Sequence, residues 1–155
     1  MCAELKQFDP AKPVYVEAES KKIGDLRVPQ AMIDAMWQSD CVRLEVELAS
    51  RVQLLMEEYA HFLADTHTLE QKLDCLIGLH SKEVIGHWKE LASQKQWEQL
   101  VEELLVKHYD PAYTRSTLKH YARHEQGMVL RADDLSEQAM LRLAREAIAG
   151  AAAPV

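Results

Sequence analysis

The chain has 155 residues, 48% of them apolar and 28% charged, with five glycines and five prolines. That is the composition of one globular domain able to bury a single core, and it excludes a disordered or fibrous chain and a disulfide-stapled miniprotein. Eighteen Lys and Arg against 25 Asp and Glu give a formal charge of −7, which excludes a uniformly basic nucleic-acid coat but leaves room for a local basic face.

Cys2, Cys41 and Cys75 are odd in number and show no C-x-x-C spacing, so no disulfide framework or zinc knuckle is expected and a reducing cytoplasm fits best. The N-terminal Met1-Cys2-Ala3-Glu4-Leu5-Lys6 lacks the apolar run of a secretory signal, and no stretch has the length of a membrane span.

In chain order, Pro13-Val14-Tyr15-Val16-Glu17-Ala18-Glu19 reads as a short buried strand that emerges into a polar loop, Ser20 to Asp25. Pro29 then opens a short helix carrying Ala31, Met32, Ala35, Met36 and Trp37, which Ser39-Asp40 ends. Cys41 to Val46 alternates apolar and charged side chains, the period of a second strand. Leu48, Val52, Leu55, Met56, Tyr59 and Leu63 define a helix by their spacing. Thr68-x-x-Gln71 is a capping box for the next, with Leu69, Leu73, Leu76 and Ile77 on one face. Trp88 and Leu91 close another helix before Ser93-Gln94-Lys95-Gln96, and Trp97, Leu100, Val101, Leu104 and Leu105 line one more, which Asp110-Pro111 is expected to break. Met128 to Ala132 is the third strand. Asp134-x-x-Glu137 caps a terminal helix bearing Leu135, Ala139, Leu143 and Ile148.

This order predicts an α/β fold, helix-dominated, with a small parallel sheet of about three strands and a large helical insertion around 68–121. A single domain is expected over 1–149, with a frayed tail at 150–155. Three strands are few for a parallel sheet that must be covered on both faces, so further strands are expected outside this chain.

A strand ending in carboxylates is where a P-loop enzyme holds magnesium or orients a water, and Glu17 and Glu19 fit that place. Ser20, Lys21 and Lys22 follow as phosphate-site candidates. The bland alternative is a solvated strand end. No G-x-x-x-x-G-K-[ST] loop occurs, and the five glycines are isolated, so no polyphosphate cradle is built locally. Arg115, Lys119 and Arg123 recur every four residues, with His120 and His124 beside them and Tyr113 and Tyr121 available to stack on bases. On a helix this is one cationic stripe suited to RNA phosphates, the alternative being a solvated face paired with carboxylates. His120 and His124 have helical metal-ligand spacing but no third ligand, so no metal is expected. Cys41 sits in an apolar strand pattern where nothing lowers its pKa, and no nucleophile is assigned. Trp37, Trp88 and Trp97 read as core.

The segments Val14-Tyr15-Val16-Glu17-Ala18-Glu19-Ser20-Lys21-Lys22-Ile23-Gly24, Cys41-Val42-Arg43-Leu44-Glu45, Tyr59-Ala60-His61-Phe62 and His108-Tyr109-Asp110-Pro111-Ala112-Tyr113-Thr114-Arg115-Ser116 resemble the C-terminal half of bacterial tRNA 2-selenouridine synthase, from about Phe8 to Ile148. The resemblance implies a cytoplasmic tRNA-modifying enzyme that replaces sulfur by selenium in wobble 2-thiouridine through a geranylated intermediate, with selenophosphate and geranyl diphosphate as substrates. Family members join a rhodanese domain, whose cysteine is the catalytic thiol, to a P-loop domain that ends as this chain does. Neither that cysteine nor the Walker A loop is found here. The resemblance therefore implies a contribution to tRNA and phosphate binding from Glu17, Glu19, Ser20, Lys21 and Lys22 and from Tyr109 to Arg123, without a catalytic residue in this chain. The implied partners are tRNA and a missing N-terminal half. The alternative is a non-catalytic interaction module that docks a partner or associates with itself.

Overall fold

The computed structural model describes residues 6–18, 21–60 and 66–151. The first regular element is a hairpin, β1 (Lys22–Ile23) and β2 (Leu26–Arg27), paired antiparallel with Ile23 opposite Leu26. Gly24 takes the first position of its two-residue turn with φ +59, a left-handed conformation that costs glycine nothing and other residues about 1 kcal/mol. The segment expected to be a loop is therefore partly ladder.

Helix α1 spans Gln30–Gln38 behind Pro29, whose φ of −56 and ψ of 140 hold the chain extended until the helix begins. Its buried side chain is Ile33, whereas Ala31 and Ala35 of the expected apolar face are exposed. Strand β3 (Val42–Val46) pairs in parallel with β4 (Met128–Ala132), from Val42 opposite Met128 to Val46 opposite Ala132. Gly127 lets the two strands start side by side, because a Cβ there would run into the backbone carbonyl of Cys41.

Between β3 and β4 the chain is helical: α2 (Leu48–Glu58), α3 (Thr66–Asp74), α4 (Lys82–Ser93) and α5 (Trp97–Leu104). A π-helical turn, Leu105–Tyr109, leads without interruption into α6 (Asp110–His120). Ser81 caps α4 by accepting from the Val84 N–H at 3.4 Å. Lys95, with φ 56, occupies the left-handed position that turns the chain from α4 into α5. Leu73, Ile85, Trp88, Leu91, Ala92 and Leu100 from α3, α4 and α5 form the larger core, in which Trp88 is fully buried. A second core joins β4 to α7 (Glu137–Ala151) through Leu130, Ala132, Leu143 and Ala147. No helix among the described residues is long and apolar enough to cross a membrane.

Several expectations are corrected. The described sheet that contains β3 has two strands, not three: residues 13–18 form no ladder. Val14, Tyr15 and Val16 are 50%, 48% and 60% exposed, and the segment is fixed instead by the Tyr15 hydroxyl donating to the Ala147 carbonyl at 2.9 Å. β-propensity is expressed only where a neighbouring strand offers a surface to pack on, and none of the described strands pairs with the segment. Asp110-Pro111 does not break the helix. Pro111 enters in the first turn of α6, and the wider π turn before it absorbs the missing donor and the ring's clash with the preceding carbonyls. Helix α3 starts at Thr66, so Thr68 lies inside its first turn and is not its cap. The cap of α7 is Ser136, whose hydroxyl accepts from the Ala139 N–H at 3.3 Å, while Asp134 accepts from the Ser136 N–H at 2.8 Å in a turn before it. Helix α2 ends at Glu58, and His61, Phe62 and Leu63 lie outside the described residues. Helix α7 continues to Ala151, past the start expected for the tail.

Candidate RNA-contact surface

The π turn, α6 and the residues just after it carry the candidate RNA-contact residues, and three fixings hold this stretch in place. Asp110 receives both guanidinium arms of Arg51 from α2, at 3.0 and 2.6 Å, the planar two-bond match that makes Arg and carboxylate a directional pair. His108 meets His80 ring to ring, Nδ1 to Nε2, at 3.0 Å, and His80 in turn lies edge-on to the buried Trp88 at 4.9 Å. Burial and the neighbouring His80 push the His108 pKa down. At the far end, the Tyr121 hydroxyl donates to the Ala18 carbonyl at 3.1 Å. Burial foremost, then Cys41 and Tyr113, push its pKa up, which keeps it a donor.

The last bond joins α6 to the segment that carries the phosphate candidates. A second contact does the same. Lys21 Nζ lies 4.2 Å from the centroid of the Trp37 ring, and the His120 imidazole stacks on the same residue at 4.7 Å and 23°. Trp37, expected in the core, is instead half-buried and gathers a lysine from one candidate set and a histidine from the other. His120 Nδ1 is 2.8 Å from the Ser116 carbonyl. A carbonyl only accepts, so Nδ1 carries the proton and Nε2 is the atom left for another partner.

The remaining candidates divide as follows. Glu17 and Lys22 are exposed, Lys22 in β1, while Glu19 and Ser20 lie outside the described residues. Arg115 and Lys119 are exposed on α6, one helical turn apart and on one face, and neither has an ion pair with another described residue. Arg123 does not continue their stripe. The helix ends at His120, Tyr121 turns extended with φ −102 and ψ 95, and Arg123 pairs with Asp40 at 2.8 Å. His124 is also off the helix, so the spacing of His120 and His124 is not that of ligands on one face. Tyr113, 42% exposed, stacks on Tyr109 with centroids 6.0 Å apart and planes within 11°. The cysteine Cys41 is pushed away from thiolate, first by burial and then by the Asp40 carboxylate. Among the described residues no three His, Cys, Asp or Glu side chains converge as metal ligands.

Sequence reasoning missed Trp37, because an aromatic on a short apolar face is normally core, and it gave no role to His108. The one signal present was Tyr109 and Tyr113, four residues apart and hence neighbours on a helix. Together these features define a helix-dominated α/β domain with a small parallel sheet, whose helical insertion brings a cation-bearing and aromatic surface against the segment before β1. The family model of the tRNA 2-selenouridine synthase AAA domain matches residues 2–81. The chain belongs to that family, whose AAA domain fits the P-loop-like reading of the fold. Neither the curated proteins nor the solved structures gave a match. The matched span holds Val14 to Lys22 and Trp37, and the residues of α6 lie beyond it.

Proposed function

We propose that this chain is a single α/β domain that supplies RNA and phosphate contacts to tRNA modification, with Lys21, Trp37 and His120 at the junction of two binding segments and Arg115 and Lys119 beside them. The observation that carries this reading is the junction itself. Lys21 and His120 are far apart in sequence, were singled out for phosphate and RNA contact on separate grounds, and meet on one indole. Family membership supports tRNA as the substrate. The parent reaction on this reading is the exchange of sulfur for selenium in wobble 2-thiouridine through a geranylated intermediate, with selenophosphate and geranyl diphosphate as substrates. This chain then provides binding and not the reacting thiol.

The test is tRNA binding at several salt concentrations. Each phosphate contact removed lowers the log–log salt slope by about 0.7–0.9, so Arg115→Ala with Lys119→Ala lowers it by about 1.4–1.8 and weakens binding at low salt. Arg123→Ala has the smaller effect, since that guanidinium is already paired with Asp40. An unchanged slope in the double variant refutes the surface.

A second reading is a module that docks a partner or a second copy. It is favoured by apolar side chains left in water on the sheet and on α7: Val42 at 43%, Leu44 at 50%, Leu141 at 51% and Ile148 at 58% exposed. A mass that stays monomeric at high micromolar concentration, with no binding of a hydrophobic dye, removes this reading.

A further inference from the structure

A cleft of about 190 Å³ opens between α6 and Ala18, bounded by His108, Tyr113, Ser116 and Thr117. Its chemistry is unlike that of the cationic surface beside it. The walls are aromatic rings and small methyls, with a few polar atoms directed from helix positions. Thr117, which lines the cleft, is 6% exposed and the one polar residue buried outright among the described residues. His108 spends Nδ1 on His80, so Nε2 is the nitrogen it has left for a ligand.

We propose that this cleft takes one nucleotide, its base against the Tyr109–Tyr113 stack and its phosphate toward Lys119, with single-ring bases preferred. The inference rests on the reading of α6 as an RNA-contact surface and names what that surface holds. Size selects the base. A cavity of about 150 Å³ admits benzene, so this cleft accommodates one planar ring and is smaller than the roughly 300 Å³ at which pockets for larger organic ligands begin. A planar, hydrogen-bonding ring is also what the walls suit. Aromatic side chains offer a face to stack on, and Thr117 Oγ1 and His108 Nε2 each leave a polar atom for the ring edge, which is how unstacked bases are recognised.

The phosphate direction follows from helix geometry. Ala112, Ser116 and Lys119 lie at intervals of four and three residues, in one row along α6, so Lys119 continues the row of the cleft. Tyr113 and Lys119 are about 9 Å apart along the axis, and helical side chains lean toward the N-terminus, which carries a lysine back over Ser116. A base at the tyrosines thus leaves its phosphate within reach of the ammonium group.

The experiment compares oligouridylate, oligoadenylate and an abasic strand of equal length, with uridine and adenosine 5′-monophosphate as free nucleotides, by fluorescence anisotropy and by proton shifts of the tyrosine rings. Oligouridylate should bind more tightly than the abasic strand and more tightly than oligoadenylate, and equal affinity for the two homopolymers overturns the preference for a single-ring base. Tyr113→Ala should weaken it about 5- to 150-fold while Tyr113→Phe retains it, and Thr117→Val should erode the preference for uracil. Ala112→Phe, which fills the cleft from an exposed position, should weaken binding as well and covers the case in which Tyr113→Ala melts early. Competition by uridine monophosphate alone assigns the site to free nucleotides. Shifts seen only with the strand assign it to RNA. Equal affinity for the abasic strand, or an Ala112→Phe variant that binds like the parent, overturns the inference. If Arg115→Ala with Lys119→Ala still lowers the salt slope in that case, the RNA surface stands and only the cleft assignment falls.

Discussion

Glu103 offers the sharpest test of how the helical layer is held together. Its carboxylate is 16% exposed and accepts from four donors: Lys107 Nζ at 2.7 Å, Trp88 Nε1 at 3.0 Å, His87 Nε2 at 3.1 Å and Gln99 Nε2 at 3.4 Å. Lys107 foremost, with His87, Trp88 and Gln99 adding to it against the cost of burial, lowers its pKa from 4.5 to about 2. A carboxylate with a depressed folded pKa contributes stability that is complete above the unfolded value and is lost as pH falls through the folded one. At about 1.4 kcal/mol per unit, a shift of this size is worth about 3 kcal/mol, and about 2 kcal/mol once solvent screening of the half-exposed Lys107 is counted. Glu103→Gln keeps an acceptor for Trp88 and loses the charge, so in urea unfolding it should be about 2 kcal/mol less stable than the parent at pH 7. The difference should shrink between pH 4.5 and 2 and vanish below. Glu103→Ala should cost about 1–3 kcal/mol more, because the buried indole N–H of Trp88 is left unpaired. A difference between the parent and Glu103→Gln that stays constant from pH 7 to pH 2 would refute the electrostatic account.

The His80–His108 contact should make the π turn sensitive to mild acid. The lowered His108 pKa means the unfolded chain binds a proton more readily, so stability is full above the ordinary histidine value of about 6.5 and falls as pH drops below it. His108→Gln should flatten this window in thermal melts, and an unchanged pH profile would show that His108 does not titrate on folding. Gly127→Ala should destabilise by about 1–3 kcal/mol, because its methyl meets the Cys41 carbonyl where β3 and β4 begin side by side. A melting temperature equal to the parent's would mean the strands separate there without cost.

The sequence was most legible where a segment's pattern and its surroundings agree. β4 and α4 to α5 follow their apolar periods because each packs one face on a neighbour: Leu130 and Ala132 against α7, Trp88 and Leu91 in the helical core; β3 forms through its ladder with β4 while Val42 and Leu44 of its apolar face stay exposed. Val14 to Val16 has the composition of a strand and none of the company, and strand identity is settled by pairing that no local pattern contains. The capping boxes were misplaced for a related reason. Asp134 and Ser136 both accept backbone N–H groups, and which of two adjacent acceptors begins the helix depends on the turn geometry before it. At the candidate site the cations were legible by spacing. Their division was not, because the helix stops at His120 and delivers Arg123 to Asp40.

The π turn explains how one helical run serves both the core and the cleft. In α5 the inward residues Leu100 and Leu104 pack on α4, and Leu105 is buried at the turn itself. An α-helix continued unchanged would carry that apolar phase forward. One residue added by a π turn advances the phase of everything after it by about 100°, so α6 need not repeat the face of α5. The fixings span this step: Glu103 at the end of α5 binds Lys107 within the turn, while His108 and Asp110 tie the turn and the start of α6 to His80 and Arg51. With the phase so set, Thr117 turns into the cleft, Tyr121 reaches Ala18, and Arg115 and Lys119 are left to solvent. Asp110-Pro111, which pattern alone reads as the end of a helix, is on this account the point that aims the next one.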